Sequence, residues 1–315
     1  MDNFLTDVLE GLQSSSKYLQ SKYFYDKKGD ELFQQIMASD EYYLTDCEME
    51  IFEKQTVAIA DTVMDGNQQL DVIEFGAGDA TKSSHLLKEL LNRKVIATYF
   101  PIDISDNIIE LLNKTLPPVM PELDIHGLNG EYFTMLTKAN EISDKRKLVL
   151  FLGANIGNFK FNEMPHFCSM LRSELTEGDL VLIGFDLKKH PRKIRSAYDD
   201  AQGFTRQFNL NLLTRINREL NANFNTRQFD HYASYDPDNG ACKSYLVSLA
   251  RQDVCIGENN LIHFEKDETI FMEISQKYSI EVINKTARES GFTPVAYFFD
   301  SDKYFTDVIW RVLKS

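Results

Sequence analysis

Residues 71–82, Asp-Val-Ile-Glu-Phe-Gly-Ala-Gly-Asp-Ala-Thr-Lys, constrain this chain more than any other stretch. An apolar run from Val72 to Phe75, with Glu74 inside it, leads straight into Gly76-x-Gly78. Ser83, Leu86, Leu87, Leu90 and Leu91 then follow at helical spacing. The pattern predicts a buried parallel strand, a tight glycine turn and a helix N-terminus. Glycine has no Cβ, so such a turn lets a ligand approach bare backbone.

The neighbouring residues narrow the ligand. A dinucleotide-binding turn places a third glycine three residues after the second, to seat a pyrophosphate on the helix. Thr81 stands there instead. A second apolar stretch, Val95 to Ile102, ends in Asp103, 25 residues beyond Gly78. That is where a ribose-binding carboxylate is expected. An acid for a ribose without a pyrophosphate cradle favours S-adenosylmethionine (SAM) over NAD.

Composition excludes several partners. The 315 residues suit one large domain or two, and 43% hydrophobic content supplies a full core. No apolar run approaches the roughly 18–20 residues that span a bilayer. Met1-Asp2-Asn3-Phe4 lacks the basic and apolar regions of a signal peptide, so a cytoplasmic location is expected. Cys47, Cys168, Cys242 and Cys255 have no paired spacing; buried free thiols are expected, and no metal site. A net charge of −14 repels polyanions, which disfavours nucleic acid. A monomer acting on a small molecule, with no nucleic-acid or membrane partner, is expected.

Along the chain, 48–66 reads as a helix, Val72–Phe75 as a strand, 82–92 as a helix and Val95–Ile102 as a strand. A helix over 105–115 with Ser105 as N-cap follows, then a strand at Leu148–Leu152, a helix at about 163–175 and a strand at Leu180–Phe185. This alternation implies a parallel, doubly wound α/β sheet. Ligands bind such sheets at the carboxyl ends of strands, where Gly76–Gly78, Asp103, Gly153–Asn158 and Asp186 all fall. After residue 190 the rhythm changes. Residues 191–222 read as mostly helical, and 226–275 as strands with turns at 236–240 and 256–260. Residues 293–314 read as a hairpin around Asp300-Ser301-Asp302.

Several separated blocks carry a resemblance. They are Tyr23-Phe24-Tyr25-Asp26 with Gly29-Asp30-Glu31-Leu32-Phe33, Glu41-Tyr42-Tyr43-Leu44-Thr45, and Glu74-Phe75-Gly76-Ala77-Gly78. Further on come Phe151-Leu152-Gly153-Ala154-Asn155-Ile156-Gly157-Asn158, Ala197-Tyr198-Asp199-Asp200, Phe208-Asn209-x-Asn211, Asn217-Arg218-Glu219-Leu220 and Glu273-Ile274-Ser275-Gln276-Lys277-Tyr278. In order and spacing the chain resembles the histidine-specific, SAM-dependent Nα-methyltransferases of the ergothioneine pathway. The resemblance implies a Rossmann-like class I SAM methyltransferase sheet with a second, discontinuous α+β substrate-binding domain. The cofactor domain would be 48–188 with 276–315, and the substrate domain 1–47 with 189–275.

The resemblance also implies roles. Gly76 and Gly78 would let backbone meet the methionine part of SAM, Asp103 would accept from the ribose hydroxyls, and Glu131 with Tyr132 would contact adenine. Lys82 would reach the SAM carboxylate, or be an ordinary solvated helix lysine. Asn158 and Tyr198 would hold the amino acid's α-amino and α-carboxylate groups. Gly153 would add backbone near the amine, Tyr25 would assist at the carboxylate, Tyr25 and Asn158 would be the catalytic pair beside which a tyrosine or a water chain takes the amine's proton, and Tyr42 and Phe33 would wall the side-chain pocket. Glu273 and Ser275, at i and i+2 of a strand, point to the same side. In the family this carboxylate and hydroxyl hold the imidazole; the bland alternative is a solvent-facing strand edge.

This chain departs from the family at three places. The usual Asp-Phe adenine pair is Glu131-Tyr132, Gly-(Gly/Ser)-Thr-Ile-Gly-Asn becomes Gly153-Ala154-Asn155-Ile156-Gly157-Asn158, and a methionine near the imidazole falls at Ser244. The expected activity is SAM-dependent methylation of the histidine α-amine, up to three times. The alternatives are an N-methyltransferase of another amino acid or small amine, a catalytically silent SAM-binding protein, and an NAD-dependent oxidoreductase.

Overall fold

The computed structural model describes residues 3–64 and 68–313. In chain order its first elements are α1 (Phe4–Gln13), α2 (Lys27–Met37), α3 (Tyr43–Val63), β1 (Leu70–Phe75), α4 (Ser83–Asn92), β2 (Ile96–Asp103) and α5 (Asp106–Thr115). Next are β3 (Asp124–Ile125), β4 (Leu128–Asn129), α6 (Tyr132–Ile142), β5 (Arg146–Phe151), α7 (Met164–Ser173), β6 (Leu180–Asp186), α8 (Pro191–Ala197) and α9 (Phe204–Glu219). The chain closes with β7 (Phe229–Tyr235), β8 (Ala241–Ser248), β9 (Gln252–Ile256), β10 (Asn260–Phe264), β11 (Thr269–Gln276), α10 (Ile280–Glu289), β12 (Phe292–Phe299) and β13 (Phe305–Val312). It divides into two compact units: Met1–Tyr43 with Lys189–Gln276, and Leu44–Lys188 with Lys277–Ser315.

The larger unit is a Rossmann-like sheet in the order β12-β13-β6-β5-β1-β2-β3, with β4 also on β2. Strands β1, β2, β5 and β6 run parallel, and β13 lies antiparallel between β6 and β12. Strands covered on both faces read as unbroken apolar runs. Accordingly, β1 and β6 are buried at every position. The core joins Ile73, Phe75, Val149, Phe151, Ile183 and Trp310. Strand order reverses at the β1–β5 pair, which is the switch point where such sheets bind ligands. The chain leaves β1 into Gly76 and β5 into Gly153, so two glycine turns stand side by side above adjacent strands.

In the smaller unit a three-stranded antiparallel sheet, β11-β8-β7, shares a core with α1, α2 and α9. Several sequence blocks prove to be its joinery. The Asp26 carboxylate caps α2 by accepting from the Gly29 N–H at 2.8 Å, takes the Asn211 amide at 2.8 Å and pairs with Arg218 at 2.6 Å. A Cβ at Gly29 would run into the Phe24 carbonyl. Asp200 caps α9 by accepting from the Phe204 and Thr205 N–H groups, both at 2.8 Å. Asn217 accepts the Phe224 N–H at 2.7 Å and donates to the Phe224 carbonyl at 2.8 Å.

The sequence reading needs correction in places. The helix expected over 48–66 begins at Tyr43 and ends at Val63; 65 and 66 lie outside the described residues. The segment 191–222 is two helices, broken before the Asp200 cap. Ser105 stands at the N-cap of α5, but its side chain makes no capping bond. Helices α6 and α10 were not anticipated. Of the cysteines, Cys255 is exposed rather than buried. No helix among the described residues is long and apolar enough to cross a membrane.

Candidate active site

In the larger unit the β1 turn is built to leave backbone bare. Gly76 and Gly78 have φ of +66° and +53°, a region that strains a side-chain-bearing residue. At Gly76 a Cβ would also come within 3.1 Å of the Tyr132 hydroxyl; at Gly78 it would meet open space. The Gly76 N–H donates to the Ile102 carbonyl at 2.8 Å, tying this turn to the end of β2. There the Asp103 carboxylate accepts from the Ser105 N–H at 2.9 Å and the Gly78 N–H at 3.4 Å. Asp103 is thus the turn acid of its own loop and also a half-buried acceptor facing the glycine turn. Partial burial raises its pKa above the usual value, against the pull of those N–H donors.

The start of α6 is laced to the same place. The Gly130 N–H donates to the Asp103 carbonyl at 3.0 Å, and the Asn129 amide to the Asp103 and Ile104 carbonyls. Glu131 is exposed at the N-cap of α6. Tyr132 stacks on Phe75 with centroids 4.8 Å apart and planes within 8°. Gly76, Gly78, Asp103, Glu131 and Tyr132 therefore gather at one end of the sheet. Below them, Glu74 is buried and accepts from the Tyr99 hydroxyl at 2.5 Å; burial lifts its pKa to about 7.

Lys82 is partly exposed but not unattached: its ammonium is paired with Glu48, whose side chain is wholly buried. Both Glu48 oxygens also accept from the Gly153 N–H, at 2.8 and 2.9 Å. This takes the Gly153 N–H out of ligand binding. An ammonium has three donors, so the pairing leaves Lys82 able to hold a second carboxylate. Gly153 has φ +73°, and the next residue, Ala154, is held at +56°. The Asn155 amide nitrogen lies 3.4 Å from the Cβ position of Gly76 and 3.6 Å from that of Gly153, so it stands between the two turns. The Tyr278 hydroxyl braces this loop by donating to the Ile156 carbonyl at 3.0 Å. Asn158 ends the loop as an exposed residue.

In the smaller unit the expected residues form a chain of contacts. The ring of Tyr25, 43% exposed, lies edge-on to Phe33 at 5.7 Å and to Phe208 at 5.8 Å. Phe33 meets Tyr42 at 6.5 Å, and Tyr42 meets the buried Tyr198 at 6.1 Å. The Tyr198 hydroxyl is 2.7 Å from the Ser275 Oγ. Glu273 and Ser275 share a face of β11, and the register sets Glu273 opposite Ser244 and Ser275 opposite Cys242. Ser244 and Ser275 are buried and Glu273 half-buried, so this is not a solvent-facing strand edge. A carboxylate and small polar groups line one end of a face that turns apolar at Leu246 and Ile270.

Sequence reasoning missed Glu48, Asn155 as a contact and Phe208. Glu48 carried no signal, since one acid in an amphipathic helix reads as surface. Asn155 and Phe208 stood within quoted blocks and lacked only a role.

A mainly parallel sheet with glycine turns at its switch point, an acid at the end of the next strand and no third glycine defines a SAM-dependent methyltransferase fold. A family model described as histidine-specific, SAM-dependent methyltransferase matches residues 4–312. Two relatives, each called histidine N-alpha-methyltransferase, come from Mycobacterium tuberculosis and Mycolicibacterium smegmatis. They are 30% and 31% identical, and each alignment covers 93% of this chain and 90% of the relative. A Neurospora crassa protein, called ergothioneine biosynthesis protein 1, is 29% identical over 91% of this chain, which spans only 32% of that longer protein. The chain belongs to the histidine-specific, SAM-dependent methyltransferase family, and its cofactor is SAM.

Proposed function

We propose that the protein methylates the α-amino group of L-histidine, up to three times, with SAM as methyl donor. The observation that supports histidine most directly is the Glu273–Ser275 pair on one face of β11, with Ser275 bonded to Tyr198. A carboxylate beside a hydroxyl matches a ring that carries an N–H and a second nitrogen. In this reading the larger unit binds SAM and the smaller unit binds the amino acid. Gly76, Gly78 and Lys82 take the methionine end, Asp103 the ribose, and Glu131 with Tyr132 the adenine. The bare backbone at Gly78 and the acceptor on Asp103 fit such a group. Tyr198 and Tyr25 serve the α-carboxylate, Asn158 and Gly153 the amine, and Phe33 and Tyr42 the side chain.

SAM, when bound, supplies a methyl group already activated on a sulfonium. The residues of the chain then have to bind, align and exclude water, and good alignment alone is worth about 7–11 kcal/mol. The incoming amine must be neutral. Asn158 offers both a donor and an acceptor and so suits an amine that presents its lone pair. In this reading the proton leaves through a tyrosine or water chain near Tyr25 and Asn158, and the exposure of Tyr25 supports its part in it. Orientation through the carboxylate and imidazole leaves room for the amine to carry one and then two methyl groups. The net charge of −14 supports a small-molecule substrate, and the reading takes the enzyme as a cytoplasmic monomer.

The test is mass spectrometry of the purified protein with SAM and an equimolar mixture of the twenty amino acids. Trimethylated histidine is expected. Another methylated amino acid would reassign the Glu273–Ser275 pocket, and no methylated product despite SAM binding would sink the enzymatic reading.

A further inference from the structure

One buried carboxylate in the larger unit has no part in the roles given so far. Glu48, on α3, is a wholly buried carboxylate reaching into the carboxyl end of the sheet. It is held by the Lys82 ammonium at the start of α4 and by the Gly153 N–H at the end of β5. The sheet is hollowed to admit it: a Cβ at Gly184 on β6 would collide with its Oε1. Gly184 has no positive φ, so space rather than backbone conformation is what glycine provides there. Asp307 of β13 pairs in register with Gly184 and is also wholly buried. Burial and the charge of Glu48 push its carboxyl well above the ordinary value. The Lys82 ammonium also lies 3.7 Å from the Cβ position of Gly153.

We propose that Glu48 is a positioning residue that clamps Lys82 and the Gly153 turn in one geometry, so that the lysine is aimed at the SAM carboxylate and the Gly153–Asn158 loop is set at the reacting amine. This rests on the functional reading above, because it takes Lys82 and Gly153 to be ligand-facing. A carboxylate is required, not merely a polar group. Only a charged acceptor fixes the ammonium while receiving the Gly153 N–H on both oxygens.

Two variants test the clamp. Glu48→Gln keeps the shape and removes the charge; Gly184→Ala keeps the charge and pushes the carboxylate out of its seat. In both, SAM affinity by calorimetry should fall at least tenfold. The KM for SAM should rise with it. A folded Glu48→Gln or Gly184→Ala with wild-type SAM affinity and wild-type kcat overturns the proposal, since a merely structural Glu48 would lower Tm and leave the folded fraction binding normally. The wild-type protein gives an arm that needs no variant. On adding S-adenosylhomocysteine, the Gly153 amide resonance should shift; a resonance that stays put overturns the clamp. The calorimetric and resonance readouts report cofactor binding alone. Wild-type protein that binds SAM without methylating histidine would remove the histidine reading and leave the clamp standing. Histidine methylation unaffected by either variant would do the reverse.

Discussion

The glycine turns of the larger unit and the aromatic run of the smaller unit are built in opposite ways. The first relies on missing side chains: Gly76, Gly78 and Gly153 all hold positive φ. The second relies on side chains from five separate segments, Tyr25, Phe33, Tyr42, Tyr198 and Ser275, joined ring to ring and hydroxyl to hydroxyl. A backbone-built site can be set by a few contiguous residues. A side-chain-built site needs the whole unit to fold before any two of its members meet. Changes in the first should move cofactor binding and local stability together; changes in the second should move amino-acid binding alone.

The largest expected effect probes the strand beneath the glycine turn. Glu74 has its pKa raised from 4.5 to about 7, so the fold favours its neutral form. The resulting stabilisation is complete below about pH 4.5 and is lost as pH rises through 7. From that shift the loss is about 3 kcal/mol. Glu74→Gln should therefore gain on wild type by about that amount between pH 4.5 and pH 8 in urea melts, and a constant difference would show that Glu74 does not titrate there.

Next in size, Glu273→Ala should lower kcat/KM for histidine about a hundredfold, in line with losing a hydrogen bond to a charged group. Its SAM affinity should be unchanged by calorimetry, and a parallel fall in SAM affinity would break the division of labour between the two regions. The two glycines sharpen the comparison from the other side. Gly76→Ala should cost about 2 kcal/mol in a thermal melt, with both φ strain and the Tyr132 hydroxyl against it. Gly78→Ala, strained but unobstructed, should cost about 1 kcal/mol. Equal losses would mean that the Tyr132 contact is unimportant. Smallest, Tyr198→Phe removes the hydroxyl that meets Ser275 and should raise the KM for histidine about fivefold, as for a neutral hydrogen bond worth about 1 kcal/mol. An unchanged KM would detach Tyr198 from the amino-acid site.

Much of the sheet could be read directly. Strands β1, β5 and β6 are mostly apolar, with Asp71 and Glu74 in β1, Arg146 and Lys147 opening β5 and Asp186 closing β6, and the terminal hairpin carries its turn residues between two apolar stretches. The short strands β3 and β4 could not be read, because two residues have no period. Helix α6 was missed because its polar and apolar residues follow no clear stripe, and Tyr132 at its start is fixed by stacking on Phe75. Among the site residues, the glycines and Asp103 were visible from spacing alone. Tyr25, Phe33, Tyr42, Tyr198, Glu273 and Ser275 were visible only through the resemblance, since an aromatic or a strand acid is equally at home in a core or on a surface.

By itself the sequence determined the strand–glycine–helix turn, the parallel sheet around it and the choice of a nucleoside cofactor without a pyrophosphate. Those features follow from local patterns of apolar spacing and missing Cβ atoms. Only the tertiary structure decided that Lys82 is held by Glu48, that Gly184 leaves room for that carboxylate, and that Ser275 meets Tyr198. Each of these joins residues far apart in the chain, and no local pattern encodes a contact whose partners are brought together only when the core closes around them.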